Sequence, residues 1–260
     1  MPESVQPIAS YEVGRGDPVV LIHGLADDHR AWRRVVGELM LAHRVLLYDL
    51  RGHGRSALGD ADGTLEQLSA DLVALLDALA IERATLAGFS LGGTIAMRTA
   101  IDRPDRVAAL ALVGTSSRVN GAAREWYEER AALVERDDPR LRATLDDDTA
   151  DVYRARPEEI ADGLRIRRES TADPRGYANA CRAMAGLNAR PLDPELDVIE
   201  APTVVLAGAA DQHCPPRAAE IITGRIAGSE LIVLPDTGHP LPVERPVEVA
   251  DAIARIAAAG

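Results

Sequence analysis

Six short, almost unbroken apolar runs set the limits on what this chain can fold into. They are PVVLIHG from Pro18, RVLLYDLRGHG from Arg44, ATLAGFS from Ala84, RVAALALVGTSS from Arg106, APTVVLAG from Ala201 and SELIVLP from Ser229. A strand with one wet face alternates apolar and polar residues; these runs do not alternate, and turn residues close them. They predict strands covered on both faces. Between them lie helix-like stretches. LEQLSADLVALLDALAI, from Leu65, carries Leu68, Leu72, Leu75, Leu76 and Leu79 on one stripe. LGGTIAMRTAIDRP follows the third run and stops at a pre-proline boundary, PPRAAEIITGRIA follows Cys214, and PVEVADAIARIAAA closes the chain. This alternation predicts an α/β fold, a mostly parallel central sheet with helices on both faces.

One region breaks the pattern. From about 118 to 190 there is charged helical text and no buried strand: EWYEERAALVERDD, RPEEIADGLRIRRES and YANACRAMAGL. It leaves the sheet after one strand and returns before the next, so it is expected to be an inserted helical cap. The expected division is a core over 1–117, the cap over 118–190 and the rest of the core over 191–260. The acidic triplet at 146–148 is expected at a solvated helix end or loop.

Composition narrows the function classes. The chain has 260 residues, 3% aromatic, and a formal charge of −12. Few aromatics and a strong negative charge oppose nucleic-acid binding. No apolar run approaches membrane-spanning length, and MPESVQPIAS lacks the basic and apolar regions of a signal peptide. Cys181 and Cys214 are too few for a disulfide framework and lack metal-ligand spacing. A cytoplasmic protein that binds no membrane is the expectation; oligomeric state is not legible.

The stretch LAGFSLGGT places Ser90 between an apolar run and a helix, flanked by Gly88, Gly92 and Gly93. A sharp strand-to-helix turn of this kind lifts a serine Oγ above the sheet, with glycines leaving room for the two backbone arms. The serine then needs a base and the base needs an orienting carboxylate. His239, in LPDTGHPLPVERP, follows the last strand; Asp211, in AGAADQHCPP, follows the strand before it. Both fall at the same sheet edge as Ser90. Asp236 competes, but three residues from His239 it is expected to shape that turn. Two backbone N–H groups should hold an oxyanion: Leu91, after the serine, and Leu25 in HGLADD after the first run. His23 is then a buttress of that loop.

With these residues the chain resembles the α/β-hydrolases throughout, from HGLADDHRAW through YDLRGHGRS and GFSLGG to GAADQHCPP and TGHPLPVERP. In that family YDLRGHGRS is a structural turn, so no chemistry is assigned to Arg51, His53 or Arg55, and Trp32 is expected to pack on the core. RGHGRS, LLDALAIERA, SSRVNGAAREW and YANACRAMAG further resemble the 3-oxoadipate enol-lactonase branch. That resemblance implies a small-molecule ester or lactone as substrate, cleaved through an acyl-enzyme, without metal or organic cofactor. Substrates of that branch carry carboxylates, so the arginines of LRIRRES, Arg165 and Arg168 with Arg167 between them, are candidate substrate contacts, and Trp126 and Tyr127 are candidates to line the mouth; ion pairs on a solvated helix face and an ordinary helix–core contact are the competing readings. Cys214 is read as packing. The same three side chains would also serve a carbon–carbon bond hydrolase, a lyase or a haloperoxidase-type perhydrolase, and a ligand receptor can retain them.

Overall fold

The computed structural model describes residues 8–153 and 156–260. Seven strands form one sheet: β1 (Ser10–Gly14), β2 (Pro18–Ile22), β3 (Arg44–Tyr48), β4 (Ala84–Phe89), β5 (Val107–Val113), β6 (Thr203–Gly208) and β7 (Glu230–Leu234). Their order is β1-β3-β2-β4-β5-β6-β7, and every pair is parallel except β1 with β3. The six apolar runs became β2 to β7. The edge strand β1 had no such signal, because SYEVG is largely exposed and is held by pairing with β3. Residues 1–7, where a leader was sought, lie outside the described residues.

Side chains alternate across the sheet and divide the core in two. Val20, Ile22, Leu46, Tyr48, Leu86, Leu110, Leu112 and Val205 face one way. They pack against α2 (Leu65–Ala78), α3 (Leu91–Asp102) and α8 (Pro216–Thr223). Val19, Leu21, Val45, Leu47, Phe89, Val113 and Leu206 face the other way. That side packs against α1 (Val36–Leu39), α9 (Leu241–Glu244), α10 (Pro246–Ala257) and Trp32, which is fully buried. A fully buried Leu or Ile contributes about 1.5–3 kcal/mol, so covering both faces explains why these strands show no alternation. Helix α2 starts where it does because Thr64 Oγ1 accepts from Gln67 N at 3.1 Å, an N-cap.

Four helices lie between β5 and β6: α4 (Gly121–Glu135), α5 (Leu141–Val152), α6 (Ile160–Ser170) and α7 (Pro174–Gly186). Helices α4, α5 and α7 pack through Ala131, Leu145, Tyr177, Ala178 and Cys181 onto Ala26, in the loop after β2. The acidic triplet expected at a helix end lies inside α5 instead. Asp146 there pairs with Arg168, and Asp148 with Arg130, so interhelical ion pairs rather than solvent hold the charge. No helix among the described residues is long and apolar enough to cross a membrane.

Candidate active site

Ser90 ends the wholly buried strand β4 and precedes α3, with φ 53° and ψ −119°. A non-glycine residue with positive φ is strained, and such strain persists only where the surroundings over-determine it. Here they do. Ser90 N donates to Val113 O at 2.9 Å, and Thr115 Oγ1 donates to Ser90 O at 2.6 Å. A Cβ at Gly88 would stand 2.3 Å from Gly92 O, and one at Gly92 would stand 2.2 Å from Ile22 O. Only glycine lets the arms of the turn close.

The loops after β6 and β7 bring two more side chains to Ser90. His239 Nε2 lies 3.1 Å from Ser90 Oγ, and His239 Nδ1 lies 2.8 Å from Asp211 Oδ2. Asp211 Oδ1 accepts from the His213 and Cys214 N–H groups at 2.8 and 2.9 Å. Burial pushes the Asp211 carboxyl up, but His239 and these backbone donors outweigh it and hold it below its ordinary value. An ionised Asp211 places the imidazole proton on Nδ1 and leaves Nε2 as acceptor toward the serine. Asp236 does not join them; it sits in the turn with φ 48°.

Leu91 opens α3, so its N–H lies at the positive end of that helix. Leu25 lies in the loop after β2, where a Cβ on Gly24 would be 3.2 Å from Ser90 Cβ. Among the described residues neither N–H has a protein acceptor. The buried His23 accepts from Leu50 N at 2.9 Å through Nε2, so its proton is on Nδ1, which donates to Gly24 O at 2.8 Å. That carbonyl and the Leu25 N–H share one trans peptide and point in opposite directions. His23 therefore fixes the direction of the Leu25 N–H, a buttress as expected.

A family model for the alpha/beta hydrolase fold matches residues 17–246. The chain belongs to the alpha/beta hydrolase fold family. This hydrolase is 32% identical over 96% of its length to a protein of Variovorax paradoxus described as a carbamate hydrolase, RutD, covering 97% of that relative. It is 31% identical to 3-oxoadipate enol-lactonase 1 of Acinetobacter baylyi, over 88% of this chain and 84% of the relative. Among solved structures, the enol-lactonase of Burkholderia xenovorans LB400 superposes with a TM-score of 0.86 at 28% identity, covering 97% of each chain.

The expected substrate contacts fare differently. Arg165 pairs with Asp162 and Glu169, and Arg168 with Asp146, on an exposed face of the hydrolase. Both guanidinium groups are engaged by neighbouring carboxylates in solvent, which is the competing reading of these two arginines. Trp126 is half-buried, edge-on to Tyr127 at 5.0 Å, and Arg130 stacks 4.2 Å over its ring. Its neighbour Tyr127, not Trp126, packs in the cluster with Leu25 and Leu91.

Arg167 is the buried arginine of the three. It lies among Asp27, Tyr153 and Tyr177, and its charge reaches His213, whose ring is 5.0 Å from that of His239. Its Nε lies 3.5 Å from Asp27 Oδ1 without a hydrogen bond. The signal was present in the sequence: Gly163, Ile166, Arg167 and Ser170 are the buried positions of α6, at i, i+3, i+4 and i+7. Arg165 and Arg168 fall off that stripe.

One group could be taken for a metal site. Asp28, His29 and Asp49 bring ligand atoms within 4.8 Å of one another. Each is otherwise engaged: Arg30 forks onto Asp28, and Asp49 accepts from His29 N, His29 Nδ1 and Arg55 N. These bonds tie the loops after β2 and β3 together, which is structural work.

Proposed function

We propose that this hydrolase is a serine esterase or lactonase for a small carboxylate-bearing molecule, with enol-lactones the leading candidates. The observation that supports this most is the hydrogen-bonded series Ser90 Oγ, His239, Asp211, at 3.1 and 2.8 Å.

Ser90 Oγ attacks the substrate carbonyl carbon as its proton passes to His239 Nε2, and the carbonyl π electrons move to oxygen. The Leu25 and Leu91 N–H groups hold that oxyanion. Collapse breaks the bond to the leaving oxygen, which takes the proton from His239. In a lactone this opens the ring and leaves the enol or alcohol on the acyl chain. Water then attacks the acyl-enzyme, giving its proton to His239; collapse releases the acid and returns the proton to Ser90. Asp211 stays ionised and stabilises the imidazolium. None of these steps calls on a metal or organic cofactor.

Helices α4 to α7 would serve as the cap over this centre, within the division placed at 118 and 190. Arg167, on the buried stripe of α6, is suited to grip the carboxylate in two places. A second reading is favoured by the relative described as a carbamate hydrolase. The same attack on a carbamate carbonyl would release an amine nitrogen instead of an oxygen.

The test is labelling with a fluorophosphonate, peptide mass spectrometry, and turnover of a panel of enol-lactones, short esters and carbamates by wild type and Ser90→Ala. Label on Ser90 and turnover lost in Ser90→Ala support the mechanism; the preferred member of the panel separates the two readings. Undiminished turnover by Ser90→Ala would overturn both.

A further inference from the structure

We infer that Ser170, at the end of α6, is a positioning residue that sets the oxyanion donor Leu25 from outside the core. The inference rests on the serine-hydrolase reading above. The loop after β2 runs Gly24, Leu25, Ala26, Asp27, and its first carbonyl, Gly24 O, is fixed by His23. Its third is fixed by Ser170, whose Oγ donates to Ala26 O. Leu25 thus lies between two anchored peptides, one held by the core and one by the helical insertion.

Further observations converge on this contact. Ala26 takes φ 60°, a conformation an alanine keeps only where its surroundings enforce it. Ser170 is 1% exposed, so its hydroxyl is shut off from bulk solvent. That hydroxyl has one hydrogen and two acceptors in reach, Ala26 O and, at 3.1 Å, Arg167 O in its own helix. The Ser170 carbonyl in turn accepts from Gly54 N at 2.9 Å, anchoring the residue to the loop after β3. Arg167, one turn earlier, faces Asp27, the next residue of the oxyanion loop. The last turn of α6 therefore meets two consecutive residues of that loop.

The chemical consequence is specific. Removing the Ser170 hydroxyl leaves the Ala26–Asp27 peptide held, among the described residues, only by the long bond from Asp27 N to Gly24 O, at 3.4 Å, and lets the Leu25 N–H drift from the place where the oxyanion forms. A donor that is present but misaligned weakens the transition state and leaves ground-state binding alone. The readouts are kcat, KM for a turned-over ester or lactone, and Ki for a boronic acid, which forms a tetrahedral adduct on Ser90. Ser170→Ala is expected to lower kcat about 10- to 100-fold and weaken the boronate by a similar factor, with KM within twofold. Thr223→Ala, which removes a hydroxyl bonded within α8 to Ala219 O, serves as the control with wild-type values. Should Ser170→Ala fail to fold, Ser170→Cys keeps the volume, replaces the O–H by a weak donor, and is read in the same way.

Wild-type kcat and Ki in the folded variant would overturn the inference. So would a loss confined to KM, which marks a packing role only. Failure of the underlying reading is distinguishable, because wild-type protein would then carry no fluorophosphonate on Ser90 and form no boronate adduct.

Discussion

Asp211 and His239 are joined by a bond that divides the labour of one carboxylate. Oδ2 faces His239 Nδ1 at 2.8 Å, while Oδ1 accepts two backbone N–H groups of its own loop. The loop thus orients the carboxylate, and the carboxylate orients the imidazole. Asp211→Asn keeps the shape but presents an amide N–H or a neutral oxygen to Nδ1, so the tautomer with its proton on Nε2 becomes available. Under the proposed mechanism kcat is expected to fall by about 10³- to 10⁴-fold. Steady-state kinetics beside a circular dichroism spectrum checks this; a loss under tenfold in a folded variant would count against the role given to Asp211.

The strained conformation of Ser90 predicts a trade between stability and function. Glycine adopts φ 53° without the cost a Cβ incurs, whereas alanine inherits the full strain. Both substitutions abolish turnover under the proposed mechanism, yet Ser90→Gly should be the more stable by about 1 kcal/mol. Denaturant unfolding of the two variants measures the difference. Equal stability would show that the turn is relaxed.

For Arg167 the expectation is a split between substrates. Replacing it alone leaves Asp27 buried and unpaired, which is costly, so Arg167→Met is best compared in an Asp27→Asn background. KM for a carboxylate-bearing substrate should rise about 10- to 100-fold, and KM for an uncharged ester should hardly change. Arg165→Ala and Arg168→Ala, which remove exposed ion pairs, should leave both KM values as in wild type. Equal KM changes for charged and uncharged substrates would remove Arg167 from carboxylate recognition.

His53 makes the fold sensitive to mild acid. Burial, and then the charge of His23, push its imidazole down from 6.5 to about 4. Above pH 6.5 it is neutral folded and unfolded, and its contribution is fully present. As pH falls from 6.5 toward 4 the unfolded chain takes up a proton that the folded one refuses, and about 3 kcal/mol of stability is lost. Asp49, held down to about 2 by His29 and Arg55 against burial that pushes it up, adds a second loss only between about pH 4 and 2. Chemical denaturation from pH 7 to 4.5 checks the first window. A flat profile there would contradict it, and His53→Gln should flatten whatever slope is found.

Much of the candidate site is legible in the sequence alone. Glycines at 88, 92 and 93 around a serine are a local requirement of the turn, so they show in a short window. His239 and Asp211 were legible from their place after strands, since parallel strands put those loops at one edge. Charge alone does not separate Arg165, Arg167 and Arg168; helical phase does, because Arg167 falls on the buried stripe with Gly163, Ile166 and Ser170 and the other two do not. Edge strand β1 was illegible because it is exposed and owes its form to a partner.

By itself, the sequence determined the alternation of strands and helices, the elbow at Ser90 and the loops that hold its partners. Those features follow from burial on two faces and from backbone geometry, both of which act locally. Only the tertiary structure decided which carboxylate faces Arg167, which peptide Ser170 grips and how His23 aims the Leu25 N–H. These depend on contacts between segments more than 20 residues apart, such as Ser170 with Ala26 and His23 with Leu50. No local window can encode such pairings, because each is set by the packing of whole elements against one another.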